Sequence, residues 1–134
     1  MSLLVKICGL KTPEALDVAL SAGADMLGFV FFEPSPRNLT IAAARALGAQ
    51  VKGRARKVAL SVNADNDLLA ASIEALKPDL LQLHGQETPE HVAAVHDREW
   101  LGDDAHRLGP GVGRDLWRSA PRHCGRVLGL QQWQ

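Results

Sequence analysis

The chain has 134 residues, enough for one domain with a sizeable core. Fifteen Lys and Arg balance fifteen Asp and Glu, so no global field gathers nucleic acid or an anionic membrane surface. There is no charged-then-apolar leader and no run of about eighteen apolar residues. Two isolated thiols, Cys8 and Cys124, outside any Cys-x-x-Cys spacing, give no zinc site or redox pair. These features predict a soluble cytoplasmic protein with reduced cysteines.

The first element in chain order is a strand over Leu3 to Leu10. At a period of two, Val5 and Ile7 face one side while Lys6 and Cys8 face the other. Thr12-Pro13-Glu14 then supplies an N-cap, a proline in the first helical turn and an acid beside it, and the helix stops near Gly23. Asp25 to Phe32 is almost wholly apolar, as in a strand covered on both faces. The loop Glu33-Pro34-Ser35-Pro36-Arg37-Asn38 is stiffened by two prolines, and Thr40 caps a helix predicted to end around Gly48. Lys57 to Asn63 reads as a third strand, with Val58, Leu60 and Val62 on one face and Ala59, Ser61 and Asn63 on the other. Asp65 or Asn66 opens a third helix that Pro78 ends. Asp79 to Gly85 is a fourth strand, and Thr88-Pro89-Glu90 starts a fourth helix.

Strand–helix alternation points to a parallel sheet with helical crossovers, open or closed into a barrel. An internal echo separates the two. A shift of 76 residues maps Lys6 to Gln82, Cys8 to His84, Gly9 to Gly85 and Thr12-Pro13-Glu14 to Thr88-Pro89-Glu90. Polar residues at the C-terminal strand ends converge on one mouth in a (β/α)8 barrel. That geometry puts Cys8, Asn63 and His84 on the rim with Arg37 above it. The glycine fingerprint of a dinucleotide fold is absent after the first strand, so a barrel is favoured.

Lys6-Ile7-Cys8-Gly9-Leu10, Gly28-Phe29-Val30-Phe31 with Pro34-Ser35-Pro36-Arg37, Val62-Asn63, and Gln82-Leu83-His84-Gly85 occur in this order. Together they closely resemble phosphoribosylanthranilate isomerase, the barrel enzyme of tryptophan biosynthesis. The resemblance covers about residues 3–96, the first four of eight strand–helix units. It implies a (β/α)8 TIM-barrel fold and an Amadori rearrangement of N-(5-phosphoribosyl)anthranilate, an aldose–ketose isomerisation whose substrate is a small phosphosugar–anthranilate conjugate. One departure lies inside that region: Ser61 stands where the family has a bulky apolar residue, and is expected to loosen the barrel interior.

The same resemblance makes Cys8 the general base and an aspartate of a later strand the general acid. A free thiol ionises near pH ~8.5, so Lys6 on the same face is a source of positive potential, or else a contact for a substrate carboxylate or phosphate. Arg37 matches the position that approaches the anthranilate carboxylate, which suits a planar bidentate donor. Gln82 and His84 match polar residues lining the mouth, so Lys6, Arg37, Gln82 and His84 form the expected substrate-binding set. No cofactor is implied, because side-chain acid and base suffice for the proton transfers. No metal is expected either: His91 and His96 are five apart on a helix and do not share a face.

Taken alone, Cys8 would read as a small buried hydrophobe and Arg37 as a solvated charge. The strand-end position of Cys8 beside Lys6, and the match of Arg37 to its family position among three further motifs, turn both readings toward the site. Asn63 reads as a structural cap for the third helix, while His84 either contacts substrate or simply hydrogen-bonds at its strand end.

From about Asp97 the text changes. Residues 97–134 hold all three tryptophans, six of the twelve glycines and six arginines, without lysine, isoleucine or phenylalanine. No period persists, the acid is not identifiable, and the glycine-rich phosphate loops of the later strands are missing. This segment is expected to be an irregular tail, the product of a shifted frame or a truncation. A half barrel leaves its first and fourth strands as open edges unless the tail covers them. Two readings follow: a member of the isomerase family with little or no activity of its own, or a catalytically silent half-barrel that associates with itself through those edges.

Overall fold

The computed structural model describes residues 3–96 and 126–129; the irregular tail expected over the rest lies outside the described residues. Each helix starts where a side chain satisfies an orphan amide. Thr12 accepts from Ala15 N at 3.1 Å ahead of α1 (Pro13–Ser21), and Thr40 from Ala43 N at 3.1 Å ahead of α2 (Ile41–Val51). Asp65 accepts from Leu68 N at 2.8 Å ahead of α3 (Asn66–Leu76), and Thr88 from His91 N at 3.1 Å ahead of α4 (Pro89–His96). Asp65, rather than Asn63, therefore caps the third helix. The second helix passes through Gly48 and ends at Val51, beyond the expected stop. Gly48 is buried mid-helix, and a β-carbon there would stand 3.0 Å from Leu76 Cδ1. This glycine serves the approach of α2 to α3, and the helix ends instead on Lys52 in the left-handed region.

The strands β1 (Lys6–Cys8), β2 (Met26–Phe31), β3 (Arg56–Ser61) and β4 (Leu80–Leu83) pair in parallel in chain order. β1 is shorter than its apolar text suggests, since Val5 accepts from Asp25 N and Met26 N before the ladder begins. A fifth strand, β5 (Arg126–Gly129), joins β4 in antiparallel sense, with Leu81 opposite Leu128. The edge of β4 is thus paired rather than open. At β1, Leu3, Leu4, Val5 and Ile7 remain exposed.

Register sorts the side chains into two layers. Lys6, Met26 and Arg56 align, as do Cys8, Gly28, Val58 and Leu80, followed by Val30, Leu60 and Gln82. On this face Met26, Val58 and Leu80 form their own small core. The alternate residues Leu27, Phe29, Phe31, Ala59, Leu81 and Leu83 pack with Leu16, Leu47, Leu69, Ile73 and Leu76 of the helices. Ser61, in register with Phe31 and Leu83, belongs to the helix side. It therefore does not enter the barrel interior as expected; the interior positions of β3 are Val58 and Leu60.

Candidate active site

The mouth face ends at the C-terminal tips of β1 to β4, where Cys8, the loop carrying Arg37, and His84 gather. Cys8 is a free, exposed thiol on the last residue of β1. Its neighbour across the ladder is Gly28, and a β-carbon on that glycine would fall 2.6 Å from Cys8 Sγ. The thiol occupies space that any other residue at 28 would fill. After Cys8 the chain turns through Gly9 at φ +83°, with Gly9 N and Leu10 N both donating to Gly28 O, at 3.0 and 3.2 Å.

Arg37 reaches this corner from the loop after β2. Ser35 N donates to Phe32 O, Asn38 N donates to Ser35 O, and Arg37 N donates to Ser35 Oγ at 3.1 Å. Leu39 N then donates to Val30 O. Lys11 Nζ donates to Pro36 O at 3.0 Å, tying the loop to the segment after β1. Arg37 lies across Gly9, with its Cδ 2.1 Å from the point where a β-carbon would stand. Gly9 therefore opens the path that brings a guanidinium stem next to the residue following Cys8.

On the far side stand the echo residues. Lys6 Nζ donates to Gln82 Oε1, and Gln82 Nε2 lies 3.3 Å from His84 Nδ1. At about 4.8 Å per strand, β1 and β4 are about 14 Å apart along the sheet. A side-chain bond between them spans the concave face. Gln82 is 4% exposed, Lys6 is half-buried and His84 is exposed, so the chain of contacts runs from interior to rim.

Asn63 sits in the loop after β3 at φ +48° and accepts from Gln86 N at 2.8 Å through Oδ1. Glu87 accepts from Asn63 N and Gly85 N at 2.9 and 2.8 Å. Glu87 was invisible to motif reading, and only its place three residues after His84 hints at it. Its carboxylate clamps the β3 and β4 loops together and so supports His84.

The structure places Cys8, Arg37 and His84 at the C-terminal ends of their strands, while Lys6 and Gln82 meet on the same face beneath them. The expected general acid has no counterpart among the described strand positions of the mouth face: none is Asp or Glu. No group of three His, Cys, Asp or Glu side chains among the described residues is placed to hold a metal ion, and no described helix is long and apolar enough to cross a membrane.

Comparison with known proteins gives the same answer from sequence and from fold. The pattern of the family described as N-(5'phosphoribosyl)anthranilate (PRA) isomerase matches residues 5–100. The N-(5'-phosphoribosyl)anthranilate isomerase of Nitrobacter winogradskyi is 64% identical over 98 residues, which is 73% of this chain and 44% of that protein. The same-named protein of Bradyrhizobium sp. (strain ORS 278) is 62% identical over 97 residues, 72% of this chain and 43% of that one. Among solved structures, the phosphoribosyl anthranilate isomerase of Thermotoga maritima superposes with a TM-score of 0.69 at 28% identity, covering 72% of this chain and 47% of that one. TrpF from Jonesia denitrificans gives 0.68 at 34% identity, over 72% and 47%. The chain thus spans less than half the length of these relatives, in the part that forms the first four strand–helix units. By sequence and by fold, it belongs to the N-(5'-phosphoribosyl)anthranilate isomerase family.

Proposed function

We propose that this chain is the base-bearing half of a phosphoribosylanthranilate isomerase active site. The observation that supports this reading is the placement of the Cys8 thiol over Gly28, with the Arg37 stem lying across the adjoining Gly9, at the C-terminal end of a parallel sheet. In the rearrangement, opening of the aminoaldose ring puts a proton on the ring oxygen and leaves an imine at C1. The base then takes the proton from C2, and the resulting enolamine takes up a proton at C1 and gives up its C2 hydroxyl proton to become the aminoketose. One molecule rearranges with no net oxidation. Cys8 is the base, Arg37 receives the anthranilate carboxylate, and Lys6 and His84 supply donors along the mouth with Gln82 between them.

The chain alone turns over little substrate, because the ring-oxygen proton needs an acid that the described mouth face does not hold. Its setting is the cytoplasm, and its exposed β1 edge favours association with a second copy. A second reading, that of a silent self-associating half barrel, draws on the same exposed edge. Complementation of a tryptophan auxotroph lacking this isomerase separates them. No growth is expected from this chain alone. Growth is expected when units five to eight of the Nitrobacter relative are co-expressed, and it should be lost with Cys8→Ser. Growth supported by the Cys8→Ser chain would remove Cys8 from its role, and failure of the co-expressed pair in every form would favour the silent reading.

A further inference from the structure

Gln82 is expected among the groups that touch substrate, but its surroundings suit a different task. It is 4% exposed, and its amide lies between Lys6 and His84. A lysine ammonium has only protons to give. The amide must therefore turn its oxygen to Lys6 Nζ, because the opposite orientation would set two donors against each other. That orientation leaves Nε2 facing His84 Nδ1 at 3.3 Å. An amide NH2 also has only protons to give, so the contact is a hydrogen bond only when Nδ1 carries a lone pair. In a neutral imidazole the proton is then on Nε2.

We infer that Gln82 is a positioning residue that reads the charge of Lys6 and thereby fixes His84 in its Nε2–H form. The relay runs one way: ammonium to amide oxygen, amide nitrogen to Nδ1. Its outcome is a mouth in which Lys6 and His84 both offer donors, a surface matched to an anionic oxygen such as a carboxylate or phosphate ester of the ligand. The ligand statement rests on the isomerase reading; the protonation pattern rests only on the three side chains. The pairing also gives the 76-residue echo a physical content. The two related units place their polar residues at equivalent positions, and across the concave face these positions meet as lysine and glutamine.

The test is nitrogen-15 NMR of the histidine side chains in the full chain, at a pH where imidazole is neutral, with His84 assigned by the disappearance of its signals in His84→Asn. The expected spectrum has Nδ1 at the unprotonated position and Nε2 at the protonated one. Gln82→Glu keeps the shape and the Lys6 contact but turns the donor into an acceptor, so the protonated and unprotonated positions of His84 should exchange. Gln82→Met, with neither donor nor acceptor amide, should give the mixture seen for free imidazole. A native His84 protonated chiefly on Nδ1 overturns the inference without any variant being needed. So does a Gln82→Glu spectrum with the native pattern in a protein whose backbone amide spectrum shows it folded. None of these readouts depends on turnover or ligand. If His84 has the predicted form while the reduced product analogue 1-(o-carboxyphenylamino)-1-deoxyribulose 5-phosphate fails to bind the co-expressed pair, the relay stands and the isomerase reading falls.

Discussion

Cys8 Sγ lies over the α-carbon of Gly28, 2.6 Å from where a β-carbon would be, with Cys8 Cα and Cβ at 3.0 and 3.1 Å from the same point. The conflict created by Gly28→Ala thus includes backbone and cannot be relieved by rotating the thiol alone. Overpacking of this kind costs about 1–3 kcal/mol, and denaturant unfolding should show a loss in that range. Removing only the sulfur should not repair it, so Cys8→Ala/Gly28→Ala remains less stable than Cys8→Ala. The rate of Cys8 alkylation by iodoacetamide should change as well, because the thiol is pushed from its seat. A Gly28→Ala protein matching wild type in both stability and thiol reactivity would show that the seat is not confining.

Gly9→Ala meets two obstacles of different origin. The φ of +83° strains any residue with a β-carbon, by about 1–3 kcal/mol. The new methyl would also stand 2.1 Å from Arg37 Cδ, and the arginine stem must move away. The two contributions separate in a double-mutant cycle with Arg37→Ala. The backbone part persists in the arginine-free background, while the steric part vanishes, so the coupling between positions 9 and 37 should be non-zero. Strict additivity would mean that Arg37 does not rest on Gly9 in solution.

Local chemistry was legible in the sequence; relationships across the sheet were legible only in part. Thr12, Thr40, Asp65 and Thr88 announce their helices because an N-cap acts over three residues. The strands were recognised by apolar text, yet Leu3 to Val5 overran the ladder, since apolarity does not reveal where pairing begins. The face of Ser61 was misread through Asn63. Alternation was carried past the strand end to a residue at φ +48°, where the period of two no longer holds. The common face of Lys6, Cys8, Gln82 and His84 was legible because each lies in or beside a strand whose alternation and echo survive in one dimension. Glu87 and the Arg37–Gly9 crossing depend on loops meeting, which no local pattern encodes. The antiparallel pairing of Arg126–Gly129 with β4 is a long-range contact of the same kind.

Ser61 is 4% exposed, and its Oγ has no hydrogen-bond partner among the described residues. It lies in register with Phe31 and Leu83, in the apolar layer between sheet and helices. A buried hydroxyl without a partner carries its desolvation cost uncompensated, about 1–3 kcal/mol. Ser61→Ala should therefore raise stability by about 1 kcal/mol, the cost of a small residual void offsetting part of the gain. The denaturant midpoint should rise at unchanged slope. Because the residue faces the helices rather than the mouth, the Cys8 alkylation rate should be unaffected. A destabilised Ser61→Ala would indicate that the hydroxyl is hydrogen-bonded after all.

Lys57 gives the pH-dependent test. It is half-buried on the helix side of β3. Burial lowers its pKa from the ordinary 10.5, Asp79 acts in the opposite direction, and Lys77 adds to the lowering. The folded pKa is therefore below the unfolded one. Between the two values the unfolded chain binds more protons, so this residue's contribution to stability rises with pH there. Below the folded value both states are protonated, and the full cost of confining the ammonium is present. Lys57→Met removes that cost while keeping the chain's own amide bond, since it is Lys57 N that donates to Asp79 Oδ2 at 2.7 Å. At neutral pH the variant should melt about 1–3 °C above wild type, the scale of a few tenths of a kcal/mol in a domain of this size. The gap should narrow as the pH rises through the range just below 10.5 and disappear above it. Comparing the two proteins at each pH cancels the titration of every other group. A gap that stays constant to high pH would assign the gain to methionine packing, and a lower melting temperature at neutral pH would show that the attraction of Asp79 outweighs the burial.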